Sequence, residues 1–207
     1  MPKVLSESDV TDFRDRACEA ATRLFAEKGA DGVTMRELAS ALGVSAMTPY
    51  RYFRDKDEIL AAVRARAFNR FAECLERAWS GPGDVFQRAM AKRDAYVRFA
   101  LDHPASYKLM FDLSQPTAAN HPELMQAAER AKVQMSNHIR ELVDLGLVSG
   151  DPELIGHAFW ALLHGAVTLH LANQLSAPYK PGTQYGIERI VAEATQALGE
   201  GFRARTN

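Results

Sequence analysis

Residues 48–56 carry a dense set of side chains that can donate hydrogen bonds to an anionic polymer. Tyr50, Arg51 and Tyr52 follow one another directly, and Lys56 comes four residues later. Hydroxyl, guanidinium and ammonium groups are the donors that contact backbone phosphates and set the register of a protein on a duplex. A short helix cannot bury three such side chains in a row, so this pattern favours a nucleic-acid contact.

Two short predicted helices would position these donors. Thr34 with Glu37 three residues later is a capping box, which starts one helix. Gly43 supplies the positive φ of a tight turn, and Ser45 starts a second helix that ends at Phe53. This arrangement is typical of a helix-turn-helix, although the same turn chemistry fits an αα-corner in any helical protein.

The rest of the chain also has helical periodicity, with apolar residues three to four positions apart. We predict an all-α fold of about nine helices with no strand. We expect a DNA-binding domain at residues 9–56 and a C-terminal domain at residues 57–207. The predicted helices lie at about 9–28, 34–42, 45–53, 55–78, 84–103, 105–113, 122–147, 151–175 and 185–202, with loops at 114–121 and 178–182.

Composition places the chain among ordinary globular proteins. Hydrophobic residues make up 47% of the 207 positions and charged residues 25%. Cys18 and Cys74 stand far apart with no CxxC, which excludes a disulfide framework and favours a reducing cytoplasm. The N-terminus resembles no signal peptide, and no run of about 18 apolar residues is apparent, so we expect a cytoplasmic protein without a membrane span.

The net charge of the chain does not indicate a nucleic-acid-binding protein. The whole chain carries −1, and residues 1–58 hold nine basic against eleven acidic side chains. Within residues 34–56, however, four basic side chains stand against two acidic ones. Binding to DNA would therefore depend on local contacts and not on a broad basic surface.

Residues from Ala20 to about Val63 resemble the TetR family of bacterial regulators. The resemblance rests on Ala-Thr-Arg-Leu-Phe-Ala-Glu-Lys-Gly, Val-Thr-Met-Arg-Glu-Leu-Ala, Leu-Gly-Val-Ser, Tyr-Arg-Tyr-Phe and Lys-Asp-Glu-Ile-Leu, all at fixed spacings. It implies a repressor that binds a palindromic, double-stranded operator as a homodimer and is released by a small apolar effector. It implies phosphate contacts for Thr34, Tyr50, Tyr52 and Lys56, and base-facing positions for Arg36, Ser45, Ala46, Met47, Thr48 and Arg51.

Pro49 departs from the family pattern, in which an apolar residue such as Leu is usual. Proline lacks the N–H that would bond to the Ser45 carbonyl, and it biases Thr48 away from helical geometry. We therefore predict a distorted first turn in the recognition helix. Ala46, Met47 and Thr48 suit thymine methyls, which leaves Arg36 and Arg51 as the readers of guanine.

The C-terminal half resembles TetR regulatory domains at residues 103–111, and Trp160, His164 and Gly165 resemble the Trp-His-Gly signature of one subtype. The resemblance implies dimerisation through the last two helices, although their apolar stripes also fit a monomer core. Aromatic, methionine and histidine residues at helical spacing are the predicted effector-pocket residues, and each of them also fits plain core: Tyr96, Phe99, Tyr107, Met110, Phe111, Met125, Met135, His138, Trp160 and His164.

Other function classes find less support in the residues. No Glu is followed by His three positions later, as a di-iron bundle needs, and no phosphate loop, nucleophile elbow or HExxH occurs. His157 and His164 lie two helical turns apart without nearby Cys or suitably spaced carboxylates, so packing explains them better than a metal. We thus expect no catalytic residues, no metal and no cofactor. A helical enzyme or cofactor carrier and a protein–protein adaptor remain the alternatives.

Overall fold

The computed structural model describes residues 6–112, 120–175 and 185–203. These residues form eight α-helices and one 3₁₀ turn, and the described part has no strand beyond a single bridge between Val148 and Arg203. The predicted all-α class is confirmed. The helices are α1 Glu7–Lys28, α2 Met35–Ala41, α3 Lys56–Trp79, α4 Val85–Asp102, α5 Pro104–Met110, α6 Pro122–Asp144, α7 Pro152–Leu171 and α8 Ile187–Phe202, with the 3₁₀ turn at Pro49–Arg51.

Most helix ends lie where the sequence places start and stop signals. Thr34 and Glu37 form the predicted capping box, and Asp84 caps α4 in the same way with Gln87. Asp151 accepts a hydrogen bond from the Glu153 amide, with proline at the first helical position. The predicted loop at 178–182 and most of the loop at 114–121 lie outside the described residues.

Two helix starts differ from the prediction. α1 begins at Glu7 because Ser6 forms a capping box with Asp9, two residues earlier than the apolar pattern suggested. At the start of α3 only half of the predicted box forms. The Glu58 amide donates to Asp55, but the Glu58 carboxylate accepts from the amide of Arg54.

The described residues divide into two compact units, one made of 6–69, 105–112 and 120–129 and the other of 70–104, 130–175 and 185–203. This division by packing runs through α3 and α6, whereas the sequence places a boundary at residue 56. In the first unit, α1, α2, the start of α3 and Leu109 enclose a core that includes Phe13, Phe25, Leu38 and Phe53.

The second unit has an aromatic centre and a smaller aliphatic cluster. The ring of Phe71 lies 5.1 Å from those of both Tyr96 and Phe99, measured between centroids. A second cluster gathers Ile139, Leu142 and Ile155 with partly buried apolar neighbours. Most of these packed side chains come from α4, α6 and α7, and α8 adds Phe202 to the second cluster.

Helix α7 is the most apolar element and is poorly covered by its own chain. It is long and apolar enough to cross a membrane by length and composition, contrary to the expectation that no segment is. Only 22% of its apolar window is buried, and Leu154 and Leu169 are 64% and 46% exposed. The core helix of a soluble protein passes the same test, so this feature alone assigns no membrane role.

We predict that Gly43→Ala lowers the free energy of unfolding by about 1 kcal/mol, because φ at this turn is +67° and a side chain is strained there. No atom lies within 4 Å of the position of an added Cβ, so backbone strain is the whole effect. Urea unfolding at fixed protein concentration measures it.

Gly201→Ala is the matched control, since Gly201 lies in α8 and an added Cβ also meets nothing within 4 Å. Alanine at a helical site stabilises by up to about 1 kcal/mol. Equal destabilisation of the two variants would contradict the assignment of strain to the turn.

Candidate functional site

The segment between α2 and α3 is built around the missing N–H of Pro49. In an α-helix the Ser45 carbonyl would accept from residue 49. Here it accepts from the amide of Thr48 at 2.9 Å, and Arg51 donates to the Thr48 carbonyl at 3.1 Å. The first turn is therefore a tight i to i+3 turn followed by a 3₁₀ turn, and the predicted distortion is confirmed.

The same segment corrects one part of that prediction. Thr48 has φ −63° and ψ −46°, which is the right-handed helical region, although the residue before a proline usually avoids it. Its hydroxyl lies 2.9 Å from the hydroxyl of Ser45. This contact helps to hold Thr48 in the helical conformation.

Most of the predicted base-facing side chains are on the surface of the segment. Met47 is 69% exposed, Ala46, Ser45 and Arg51 are exposed, and Thr48 is half-buried. Tyr50 is 48% exposed, and Arg36 is exposed on the first turn of α2. The arrangement thus combines an exposed methionine with the two arginines on the turn and its flank.

Thr34 has its polar groups engaged in the capping box. Its amide donates to Glu37 at 2.9 Å, and its hydroxyl accepts from the Glu37 amide at 3.2 Å. The Glu37 carboxylate also receives a hydrogen bond from Lys28 at 2.6 Å. The bond from Lys28 and those from Thr34 lower the pKa of Glu37 to about 2, so this carboxylate is charged at neutral pH.

Tyr52 and Lys56 make contacts within the first unit in addition to the predicted contacts with phosphates. The Tyr52 ring stacks on Phe13 with 4.0 Å between centroids, and the residue is half-buried. The Lys56 ammonium donates to the Ala30 carbonyl at 2.9 Å and lies 3.9 Å from the Asp31 carboxylate. Because an ammonium has three donors, Lys56 retains capacity for a phosphate in this position.

Arg14 is a positioning residue that the sequence pattern missed. Its guanidinium lies 4.4 Å from the centroid of the Phe53 ring, donates to the Tyr52 carbonyl at 2.7 Å and approaches Glu58 at 3.7 Å. It therefore ties the end of the recognition segment, residues 45–53, to α1 and α3. Periodicity reports only apolar positions, so no signal in α1 pointed to it.

A cavity of about 540 Å³ lies inside the second unit, a size that suits a small organic ligand. Helices α4, α6, α7 and α8 supply most of its largely apolar wall. Its aromatic and larger aliphatic lining residues are Leu75, Phe86, Met90, Tyr96, Met135, Ile139, Leu142, Leu147, Val148, Ile155, Phe159, Trp160, Leu163 and Phe202.

Four of the ten predicted pocket residues line this cavity: Tyr96, Met135, His138 and Trp160. The other six do not. Phe99 and half-buried His164 belong to the same unit but lie outside the lining, and Met125 is 52% exposed. Tyr107, Met110 and Phe111 lie in the first unit, where the rings of Tyr107 and Phe68 contact Phe111.

Lys92 lies in the cavity wall and is only 3% exposed. Its ammonium donates to the side-chain oxygen of Asn137 at 2.7 Å and lies 5.5 Å from the centroid of Trp79. Burial lowers the pKa of Lys92 to about 7, and the charge of Glu76 offsets only part of this. Lys92 shares the helical face of Tyr96 and Phe99, one turn after Arg88, and no motif in the sequence pointed to it.

His138 lies beside Lys92 in the same wall. Burial, and secondarily the charge of Lys92, lowers the pKa of His138 to about 3, so its imidazole is neutral at physiological pH. Its Nδ1 is buried and has no hydrogen-bond partner among the described residues. Arg93 also lines the cavity, but Asp94 holds its guanidinium at 2.7 Å.

Two family models match the chain. The model described as bacterial regulatory proteins of the tetR family matches residues 18–63, and the model described as a tetracyclin repressor-like C-terminal domain matches residues 87–194. The first match contains the recognition segment. The second contains Lys92, His138 and much of the cavity wall.

Curated relatives match over different lengths. An HTH-type transcriptional repressor of Mycobacterium tuberculosis is 32% identical over 145 residues, which cover 68% of this chain and 76% of that protein. An HTH-type transcriptional regulator of Staphylococcus aureus is 28% identical over 97 residues, 47% of this chain and 52% of its own length. The match thus spans about half of the length of this second relative.

Solved structures share the fold over nearly the whole chain. A protein of unknown function from a Rhodococcus species has a TM-score of 0.79 at 26% identity and covers 99% of this chain and 100% of its own. The TetR family regulator PfmR of Thermus thermophilus has a TM-score of 0.69 at 22% identity, over 90% and 98%. The two family models and the Mycobacterium tuberculosis relative show that the chain belongs to the TetR family of DNA-binding transcription regulators.

Proposed function

We propose that this chain is a cytoplasmic transcriptional repressor that binds a palindromic operator as a homodimer and releases it when a small, largely apolar effector fills the cavity. The observation that carries the proposal is the exposure of Met47, Tyr50 and Arg51 on a tight turn, with Arg36 beside it. A single exposed methionine is ordinary on a protein surface, so the proposal depends on its clustering with the donor side chains of Tyr50, Arg51 and Arg36.

Contacts divide by chemistry into two groups. Tyr50, Tyr52 and Lys56 supply donors for phosphates, which position the protein without reading sequence. Thr34 would contact a phosphate only by exchanging the hydrogen bond that its hydroxyl donates to Glu37. Ala46, Met47 and Thr48 offer methyl groups that suit thymine, whereas Arg36 and Arg51 suit guanine O6 and N7; Ser45 is the remaining base-facing position. The operator would combine a thymine-rich step with a guanine on its flank.

We assign the dimer interface to α7 and α8. Helix α7 leaves most of its apolar surface uncovered, with Leu154 and Leu169 exposed. A second copy with two-fold symmetry would cover this face and present two recognition segments to the two halves of a palindrome. Dimer contact also explains the apolar character of α7 without a membrane.

The cavity is our choice for the effector site. Its wall is mostly apolar, and α7 contributes Ile155, Phe159, Trp160 and Leu163 to it. Because α7 also carries the exposed apolar face, a ligand that favours one arrangement of this helix would shift the population of dimer geometries. We also assign the C-terminal half to the Trp-His-Gly subtype, on Trp160, His164 and Gly165.

We expect binding of a duplex selected from a random pool to weaken steeply with salt, with a log–log slope of about −0.9 for each phosphate that the protein neutralises. A gel shift over a salt series measures it. Negligible binding even at low salt would favour the protein–protein adaptor instead of the regulator.

We expect Arg36→Ala and Arg51→Ala each to reduce discrimination at one base pair of the half-site by about 1–3 kcal/mol. Sequencing of the DNA bound by each variant from a random pool measures the preference. Arg140→Ala is the control, because the Arg140 side chain is 67% exposed in α6. Weaker binding with unchanged base preference would assign the arginine to a phosphate.

We expect Leu169→Glu to raise the dimer dissociation constant by about 100-fold or more, since a carboxylate would be buried in an apolar interface. Analytical ultracentrifugation measures it, and operator affinity should fall in parallel. Leu145→Glu is the matched control, because Leu145 is 57% exposed in the turn after α6. A Leu169→Glu protein that remains dimeric would mean that the interface lies elsewhere.

A further inference from the structure

Lys92 is the feature of the cavity that its apolar lining does not explain. It is the buried cation of the wall, and the acceptor that holds its ammonium is the amide oxygen of Asn137, not a carboxylate. Removing an ammonium from water costs several kcal/mol unless an opposite charge compensates it. A neutral amide provides a hydrogen bond but no charge.

The nearby carboxylate that acts on Lys92 is committed to another partner. Glu76 receives two hydrogen bonds from Arg130, at 2.6 Å and 3.0 Å, so its charge is largely neutralised there. The remaining charged residues of the cavity wall also balance. Arg93 is paired with Asp94, and Glu200 and Arg203 are exposed residues of opposite sign.

His138 adds a second polar group without a partner. Its imidazole lies close enough to Lys92 for the lysine charge to lower its pKa, and its buried Nδ1 has no acceptor or donor among the described residues. A neutral imidazole that carries its proton on Nδ1 is a hydrogen-bond donor. Lys92 and His138 together therefore offer one charge and a further donor in an otherwise apolar cavity.

We propose that the effector is an apolar molecule with a single carboxylate, which accepts hydrogen bonds from the Lys92 ammonium and from His138 Nδ1 while its hydrocarbon part fills the cavity. This inference rests on the proposed role of the cavity as the effector site. One uncompensated cation selects a monoanion over a dianion. A neutral head group, such as an alcohol, would provide no opposite charge to stabilise the charged form of Lys92.

The test compares decanoate with 1-decanol, which differ in the head group and share the chain. Trp160 lines the cavity, so its fluorescence reports occupancy, and calorimetry gives the affinity. Because hydrogen bonds to charged groups in buried sites are strong, we expect decanoate to bind at least tenfold more tightly than 1-decanol. Similar affinities for the two compounds would overturn the inference.

Lys92→Met removes the charge and keeps most of the side-chain volume. It should lower decanoate affinity at least tenfold and leave 1-decanol affinity unchanged. Lys132→Met is the matched control, since Lys132 is exposed on α6 and does not line the cavity. A Lys92 with only a structural role would give no dependence on the head group, and that result would overturn the inference.

A second measurement on the wild-type protein keeps the inference testable if Lys92→Met does not fold. The free Lys92, with a pKa of about 7, is mostly neutral near pH 8, and a bound carboxylate raises that pKa. When decanoate binds near pH 8, the protein should therefore take up close to one proton, on Lys92. When 1-decanol binds, it should take up none. Calorimetry in buffers of different ionisation enthalpy measures the uptake.

The other charged groups around the ammonium do not produce this signal. The hydrogen bonds from Arg130 lower the pKa of Glu76 on α3, so this carboxylate stays charged near pH 8. Arg88 on α4 lies over the same Trp79 ring as Lys92, and Glu200 and Arg203 line the cavity at the end of α8. His138, with a pKa of about 3, stays neutral unless its pKa rises by several units. Decanoate binding without proton uptake would overturn the role of Lys92.

The outcomes separate this inference from the proposed function. Decanoate could bind with the expected head-group dependence and yet fail to release DNA in a gel shift. That result would support the carboxylate site and contradict its role as an effector site. Equal binding of both compounds with release of DNA supports the effector cavity and overturns the carboxylate. If neither compound binds, the carboxylate inference is overturned, while the salt-dependent gel shift still decides DNA binding.

Discussion

The conformation of the recognition segment depends on the burial of Phe53. Three residues in a 3₁₀ turn make too few backbone hydrogen bonds to hold themselves in place, because helix nucleation is unfavourable. Phe53 is 1% exposed in the core of the first unit, with the Arg14 guanidinium over its ring. Since Pro49 is buried at the other end of the turn, Tyr50 and Arg51 face outward between these two anchors, whereas the ring of Tyr52 packs on Phe13.

The sequence predicted the parts of this site that local chemistry decides. The capping box at Thr34, the positive φ at Gly43 and the distortion at Pro49 each depend on residues within four positions of one another. The conformation of Thr48 was predicted wrongly because the hydroxyl contact with Ser45 and the packing of Pro49 outweigh the preference before proline. The positions of Lys56 and Arg14 depend on contacts across 26 and 38 residues, respectively, which no local pattern reports.

The cavity was less predictable for a physical reason. Helical periodicity identifies the buried face of a helix, but it does not distinguish side chains that fill a core from those that border a cavity. Phe99 and Tyr96 lie on the same face of α4, yet only Tyr96 borders the cavity. Lys92, which carries the most chemical information there, is outside the aromatic, methionine and histidine types that were predicted to form the pocket. A charged residue within an apolar helical face is the signal that would have found it.

The tight turn at Pro49 also limits how much of an operator the protein can read directly. A 3₁₀ turn rises about 2.0 Å per residue, so Pro49–Arg51 extends over roughly 6 Å. Successive base pairs are about 3.4 Å apart, so this length corresponds to about two steps of the duplex. Of the proposed base-facing residues only Arg51 lies in this turn, so reading of further base pairs would fall to residues 45–48 and Arg36. Half-sites with the same directly contacted base pairs would be distinguished by the flexibility and groove width of the neighbouring base pairs.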